Sequence, residues 1–223
     1  MRSRFNYHDF IAYVVPGLIP LLVAVLFVWA RGHYRLFFFI QTFVGLILFL
    51  IVAYVMGHFL QAAAAWFEKK LFFQRGYHPG EAYFRKGSGA LSEREFNKLI
   101  AKFNERFNVE LTPEDLENPK VREACFYECR WGIKDDARAE YIRVLDAYYD
   151  MFRGLFVAFI LCVILSVPIG VGIVQVPLSA SFFWKVFLTI LVVSIIAEYI
   201  AARRTQDYLQ AYTKEVINGF LAS

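Results

Sequence analysis

The chain has 223 residues, of which 58% are apolar and 18% are aromatic, and its formal net charge is +4. Its mean hydropathy is +0.44. A soluble domain of this length has too little interior to hide so much apolar surface, so the composition excludes an ordinary soluble domain and indicates an integral membrane protein.

Four apolar stretches are long enough to cross a bilayer, since a spanning helix needs roughly 20 apolar residues. The stretches are continuous rather than alternating, which favours helices over the strands of a barrel. A signal peptide is the alternative for the first stretch, but the run is long and no small-residue cleavage site precedes Arg31. We therefore predict an all-α, polytopic protein with spans at about 11–30, 36–56, 154–174 and 182–201.

The basic residues are concentrated on one side of these spans. Only Arg31, Arg35 and Lys185 fall on the opposite side. Because short loops rich in Lys and Arg stay in the cytoplasm, we expect both termini to be cytoplasmic. The predicted domains are an N-terminal hairpin at 1–66, a cytoplasmic insert at 67–150, a C-terminal hairpin at 151–202 and a cytoplasmic helix at 203–223.

The insert is predicted to be helical. Ser92 and Glu95 form a capping-box pattern. Asn118-Pro119 is typical of a helix start, and Gly132 of a helix end. From position 67 to 153 there are sixteen basic and sixteen acidic residues, which argues against a nucleic-acid partner.

Apolar residues keep helical spacing from the last span to the C-terminus. This pattern predicts an amphipathic helix with two alternatives for its apolar face. The face either docks on the helices that lead into the membrane or lies on the inner leaflet. The residues concerned are Leu209, Tyr212, Val216 and Phe220.

Four ionisable residues are predicted to lie at one depth, at the cytoplasmic membrane boundary: Asp9, His58, Arg153 and Glu198. Such groups are costly there unless they are paired or hydrated. We therefore expect a Glu198–Arg153 ion pair with His58 and Asp9 nearby. Two interpretations stay open. The layer is either a ring of structural clamps or a gate, proton site or lipid-headgroup contact.

A charge ladder precedes the third span. Arg143, Asp146, Asp150 and Arg153 alternate in sign at three- and four-residue spacing. Such ladders usually decorate a solvated or interhelical face, and each pair contributes about 0.2–0.5 kcal/mol. A functional role for the ladder is the alternative.

The chain shows no sequence pattern for a cofactor, a metal or a catalytic nucleophile. Cys125 and Cys129 share a helix face, but no His accompanies them, and a metal site needs three or four ligands. A disulfide is not expected in the cytoplasm. His78 lies in a loop without a neighbouring acid or nucleophile. We predict no cofactor and a non-enzymatic protein.

Three segments together resemble a known group of proteins: 13–17 (YVVPG), 57–61 (GHFLQ) and 149–155 (YDMFRGL). The arrangement is similar to small four-span bacterial inner-membrane proteins, some of which are associated with anti-phage defence systems. The resemblance implies a bacterial inner-membrane setting and no activity. An effector role in defence follows by analogy alone.

The sequence leaves three functions to weigh. The first is a non-enzymatic membrane protein that forms homo-oligomers or binds a cytoplasmic protein at the insert, as a sensor, scaffold or pore-forming effector. The second is a small channel or transporter, which a polar stripe along one span would favour. The third is a lipid-modifying enzyme with His58 as base, which needs a second catalytic group within about 3 Å.

Overall fold

The computed structural model describes residues 10–30, 34–67, 79–112, 114–133, 136–170 and 180–222. Helices dominate these ranges, and no strand occurs in them, so the prediction of a mostly helical protein is confirmed. The chain divides into two compact units. Unit 1 comprises 1–66 and 147–206, and unit 2 comprises 67–146 and 207–223.

The described helices are short at the N-terminal side and long at the C-terminal side. A π-helical turn at Phe10–Val14 leads into α1. Helices α7 and α8 each contribute residues to both units. The helices are α1 (Val15–Ala30), α2 (Tyr34–Ile40), α3 (Phe43–Phe67), α4 (Pro79–Ala82), α5 (Glu93–Phe107), α6 (Pro119–Trp131), α7 (Asp136–Gly170) and α8 (Ala180–Ala222).

Two stretches among the described residues are long and apolar enough to cross a membrane: Phe43–Phe67 and, within α7, Ala137–Leu165. The helical stretch Phe10–Leu26 is apolar but shorter. In α3 only 22% of the most apolar window is buried, whereas the core helix of a soluble protein would be mostly buried. The fourth predicted span falls on α8, whose side chains at 180–187 lie outside the described residues. The four-span topology stays a prediction.

The second predicted span differs from the structure at its start. The sequence predicted one helix from residue 36, but α2 ends at Ile40 and α3 begins at Phe43. Thr42 lies at the break, where its hydroxyl donates to the Phe39 carbonyl at 2.7 Å and accepts from the Gly45 N–H at 3.1 Å. Threonine competes with the helix for these backbone groups and so caps α3.

Small residues bring α1 and α3 into backbone contact in unit 1. A Cβ added to Gly17 would lie 1.8 Å from the Ala53 carbonyl oxygen, and one added to Gly57 would lie 1.9 Å from that of Tyr13. Ala53 and Gly57 are four residues apart, which is the small-xxx-small spacing of closely packed membrane helices. The sequence 13–17 is thereby held against 57–61.

Unit 2 has the helix ends that the sequence predicted. Ser92 and Glu95 form the capping box of α5, and Asn118 caps α6 with Pro119 in its first turn. Helix α6 ends at Trp131 with Gly132 as its cap. These signals were readable because each lies within a few residues of the helix end that it determines.

The C-terminal residues belong to α8 rather than to a separate helix. Leu209, Tyr212, Val216 and Phe220 are all buried in the structure. The Phe220 ring stacks on Phe107 of α5 at 6.1 Å between centroids. This apolar face is covered by protein within unit 2, so it is not available to the inner leaflet.

We predict that Gly57→Ala destabilises unit 1. The backbone contact with Tyr13 leaves no space for a methyl group, and relieving such a clash costs about 3 kcal/mol. Better helix propensity offsets about 1 kcal/mol. Thermal unfolding in detergent micelles should therefore show a lower Tm. Ala62→Leu, at an exposed position of the same helix, is the control and should leave Tm nearly unchanged. Equal Tm values for both variants would contradict the close packing.

Candidate functional site

The three segments that carry the family resemblance meet in unit 1. Gly154 from the third segment lies against both of the others, because a Cβ there would be 2.7 Å from Gln61 Nε2 and 2.9 Å from a Pro16 ring carbon. Residues from the π-helical turn, α1, α3 and α7 therefore surround one point. Gln61 lies at that point.

Gln61 is a buried amide that joins three chain segments. The residue is only 7% exposed. Nε2 donates to the Ala12 carbonyl at 2.8 Å and also to the Asp150 carbonyl, while Oε1 accepts from Arg153 Nε at 3.1 Å. Both amide hydrogens and one oxygen lone pair are therefore used. We call this set, comprising Ala12, Gln61, Asp150 and Arg153, the Gln61 junction.

The Ala12 carbonyl lies where Pro16 removes one of its possible donors. Pro16 is four residues later and has no N–H, so an α-helical bond to this carbonyl cannot form. Ala12 lies in the π-helical turn and is fully buried, so water does not reach its carbonyl. An unsatisfied buried carbonyl costs about 1–3 kcal/mol. The Gln61 amide donates to this carbonyl from α3.

Arg153 is held within the junction by local partners. Its guanidinium forms an ion pair with Asp150 at 2.8 Å and lies over the Tyr149 ring, 5.0 Å from the centroid. The ion pair that the sequence favoured between Arg153 and Glu198 is not among the contacts of the described residues. Asp150 lies one turn away on the same helix and therefore reaches the guanidinium at a smaller entropic cost.

The other members of the predicted layer lie in different surroundings. The His58 ring stacks on Tyr13 at 4.0 Å and meets the edge of Tyr54 at 4.6 Å between centroids. Glu198 lies on α8, four residues after Ser194, which is buried. Asp9 lies outside the described residues. The structure thus brings His58 and Arg153 to the three segments, while no hydrogen bond or ion pair joins Glu198 to them in the described part of the chain.

The charge ladder resolves into separate pairs. Asp146 pairs with Arg130 of α6 at 2.6 Å, and both side chains are less than a third exposed. Arg143 pairs with Glu140 at 3.2 Å, with both side chains more than half exposed, so that bridge contributes little. Asp150 belongs to the junction. The ladder is therefore a set of local and interhelical pairs.

The cysteines of α6 are buried thiols. Burial raises the pKa of Cys125 to about 11 and raises the pKa of Cys129 further above its usual range. Both side chains are therefore protonated near neutral pH, and the thiol is a poor nucleophile and metal ligand. Among the described residues, no three His, Cys, Asp or Glu side chains are placed to share a metal ion.

Sequence reasoning identified the segment 57–61 but not Gln61 as its centre. The available signal was a strongly polar amide on the same face as small residues in an otherwise apolar stretch. The contacts join positions 49 and 89 residues apart in the chain. No local pattern links such distant positions, so the pairing emerges only from the fold.

Comparisons with known proteins do not assign the chain to a family. No family model, no curated protein and no solved structure matches the chain. The similarity to four-span inner-membrane proteins remains an interpretation of three segments. The structure adds that these three segments contact one another.

We predict that Gln61→Leu lowers the free energy of unfolding by about 2–4 kcal/mol, because it removes the donor to the buried Ala12 carbonyl and the acceptor of Arg153 Nε. Thermal unfolding in detergent micelles would measure the change. The control is Gln206→Leu, which removes an amide at an exposed position of α8. If both variants unfold at the wild-type Tm, the junction does not stabilise unit 1.

Proposed function

We propose that the chain is a non-enzymatic inner-membrane protein that crosses the bilayer four times and forms homo-oligomers, acting as a sensor, scaffold or pore-forming effector. In this proposal both termini and the insert lie in the cytoplasm. The observation that carries it concerns unit 1. This unit contains a small polar junction whose groups bond to one another, and long helix faces of exposed apolar side chains.

The exposed faces support a lipid environment. On α3, Phe59 is 70% exposed, while the face opposite it buries small residues such as Ala53 and Gly57. Phe43, at the start of the helix, is 78% exposed. Helix α8 exposes a similar series at Leu188, Val192, Val193, Ile195, Ile196 and Ile200. Apolar surface of this extent is disfavoured in water and normal against lipid or another membrane helix.

The junction supports a structural rather than a catalytic use of the polar residues. Gln61 and Arg153 bind carbonyls, a carboxylate and an aromatic ring of the chain itself. The ring contacts of His58 are aromatic, and no described residue offers it the hydrogen-bonded acid or nucleophile that the lipid-modifying alternative needs. Function is then expected to reside in assembly and conformation. A role in anti-phage defence rests on the resemblance alone.

One observation favours the channel as a second candidate. Ser194, Glu198 and Thr205 lie on one face of α8, and Ser194 and Thr205 are buried. These polar residues reach the end of the predicted fourth span. The Thr205 hydroxyl donates to the Ala201 carbonyl at 2.8 Å, so it has a hydrogen-bond acceptor within α8. A carboxylate in a membrane is unfavourable unless it is hydrated or paired, so contact with water or with another subunit would stabilise Glu198 more than the other groups on this face.

The topology predicts which positions a membrane-impermeant maleimide reaches in intact spheroplasts. Tyr34→Cys should be labelled from outside, whereas Trp131→Cys should react only after lysis; both positions are exposed. The native thiols provide a low background near pH 7, because all three are buried and the pKa of Cys125 is about 11. Labelling of Cys125 should rise only as the pH approaches that pKa. Labelling of both introduced cysteines from the same side would contradict the topology.

The assembly prediction concerns oligomeric state and conductance. Wild-type protein in liposomes should be oligomeric by cross-linking and should release an entrapped dye. Glu198→Ala should reduce the release at least tenfold without dispersing the oligomer, because the carboxylate supplies the polar contact on the α8 face.

The matched control is Glu105→Ala, at an exposed position of α5 in unit 2. It should release dye as the wild type does. A stable monomer that releases no dye and retains no soluble protein partner would contradict the proposed function. A monomer that conducts would favour the channel.

A further inference from the structure

Helix α2 has no core-facing side in unit 1. It has 7 residues, none of them buried, and every side chain from Tyr34 to Phe39 is exposed. Its composition is nevertheless apolar and aromatic, since Phe37, Phe38 and Phe39 follow one another and are 42%, 64% and 46% exposed. Packing within the described part of unit 1 therefore does not account for this composition.

Helix α3 is long enough to cross a bilayer without α2. Its 25 residues correspond to about 37 Å at the helical rise of about 1.5 Å per residue. The hydrocarbon core of a bilayer is about 30 Å thick. The residues of α2 are therefore not needed to complete the second span.

The two helices do not share one axis. A Cβ added to Gly45 would lie 1.9 Å from the Phe39 carbonyl oxygen. In a straight α-helix, residues six positions apart are separated by about 9 Å along the axis. The end of α2 is therefore bent against the first turn of α3, and the absence of a side chain at Gly45 makes room for the bend.

The bend exposes backbone groups that hydrocarbon cannot satisfy. Gln41 and Thr42 are exposed at the break. The N–H groups of Phe43 and Val44 begin α3, and no residue in the described ranges accepts a hydrogen bond from them, because the Thr42 hydroxyl accepts from Gly45 instead. Irregular backbone that faces lipid does not occur within the hydrocarbon region. The break is therefore expected at the level of the headgroups, and α2 does not continue the span.

The two sides of α2 differ in polarity. Leu36 and Ile40 are four residues apart and share one face. Tyr34, Arg35 and Phe38 lie on the opposite face at three- and four-residue spacing. No ion pair of Arg35 occurs among the described residues. A guanidinium matches the geometry and charge of phosphate, and tyrosine is enriched where membrane meets water, so this second face suits a layer of lipid headgroups.

We propose that α2 lies in the headgroup layer of the outer leaflet, parallel to the membrane surface, and that Arg35 binds lipid phosphate there. The Leu36 side of the helix faces the hydrocarbon, and the Arg35 side faces the headgroups. The exposed break at Thr42 then lies at the boundary where α3 enters the hydrocarbon. This inference rests on the four-span topology proposed above and adds a lipid-binding surface to it.

Spin labels on single introduced cysteines test this arrangement in nanodiscs of phosphatidylcholine and phosphatidylglycerol. EPR power saturation with oxygen and with a water-soluble nickel chelate measures the depth of each label, and the three native cysteines are buried and should take up little label. The label in Leu36→Cys should lie deeper than the label in Phe38→Cys, because the two positions are on opposite sides of a helix in the membrane plane. If α2 continued the span, Phe38 would be deeper than Leu36 by about 3 Å, because it lies two residues further along. That order would overturn the proposal.

A label in Ile51→Cys, at an exposed position of α3, separates this proposal from the topology. A deep label at Ile51, together with Phe38 deeper than Leu36, would overturn the placement of α2 alone. A water-exposed label at Ile51 would contradict the span and the placement of α2 with it. Spin–spin broadening of the Phe38 label that disappears on dilution with unlabelled protein would place a second copy against α2 and overturn the lipid contact.

The role of Arg35 is tested by removing its charge. Arg35→Leu should move the Phe38 label towards the hydrocarbon and lower its accessibility to the nickel chelate at least twofold, because no cation then holds this face at the phosphates. Arg94→Leu makes the same change at an exposed position of α5 and should leave that accessibility unaltered. Unchanged accessibility in Arg35→Leu would overturn the contact with phosphate.

Discussion

Unit 1 is arranged around one buried carbonyl oxygen, that of Ala12, which accepts a hydrogen bond from a side chain of another helix. Pro16 has no N–H to offer Ala12, and Ala12 is shielded from water. Gln61 supplies the donor from α3, and its remaining hydrogen-bonding atoms bind α7 through Asp150 and Arg153. The close approach of α1 and α3 at Gly17 and Gly57 makes this reach short enough.

The same arrangement explains why unit 1 combines few polar groups with a defined structure. A neutral amide carries no charge into the apolar interior and still offers two donors and an acceptor. Arg153 does carry a charge, but Asp150 and the Tyr149 ring lie beside it. The junction therefore joins the π-helical turn, α3 and α7, while much of the exposed surface of α3 and of α8 in unit 1 is apolar. Such a surface supports the assembly in a bilayer that we propose.

Much of the helical architecture could be predicted, because its signals are local. The cap at Ser92, the start at Asn118-Pro119 and the end at Gly132 each depend on neighbours within four residues. The break at Thr42 was missed because the apolar run continues through it and hides a single capping hydroxyl. In the site, Arg153 and His58 were predicted, and Asp150 was named in the charge ladder. Gln61 was missed because its bonds depend on which helices meet. Periodicity carries no information about that choice.

The sequence separations in the Gln61 junction also set an order of assembly. The Ala12–Gln61 bond closes 49 residues of chain, and the Asp150 bond closes 89 more. Ribosomes add about 5–20 residues per second, so the N-terminal pair can form some 4–20 s before its third partner has been synthesised. During that interval one hydrogen of the Gln61 amide lacks its Asp150 acceptor. The Gln61 junction is therefore completed only when α7 has been synthesised, and the N-terminal pair forms its bond first.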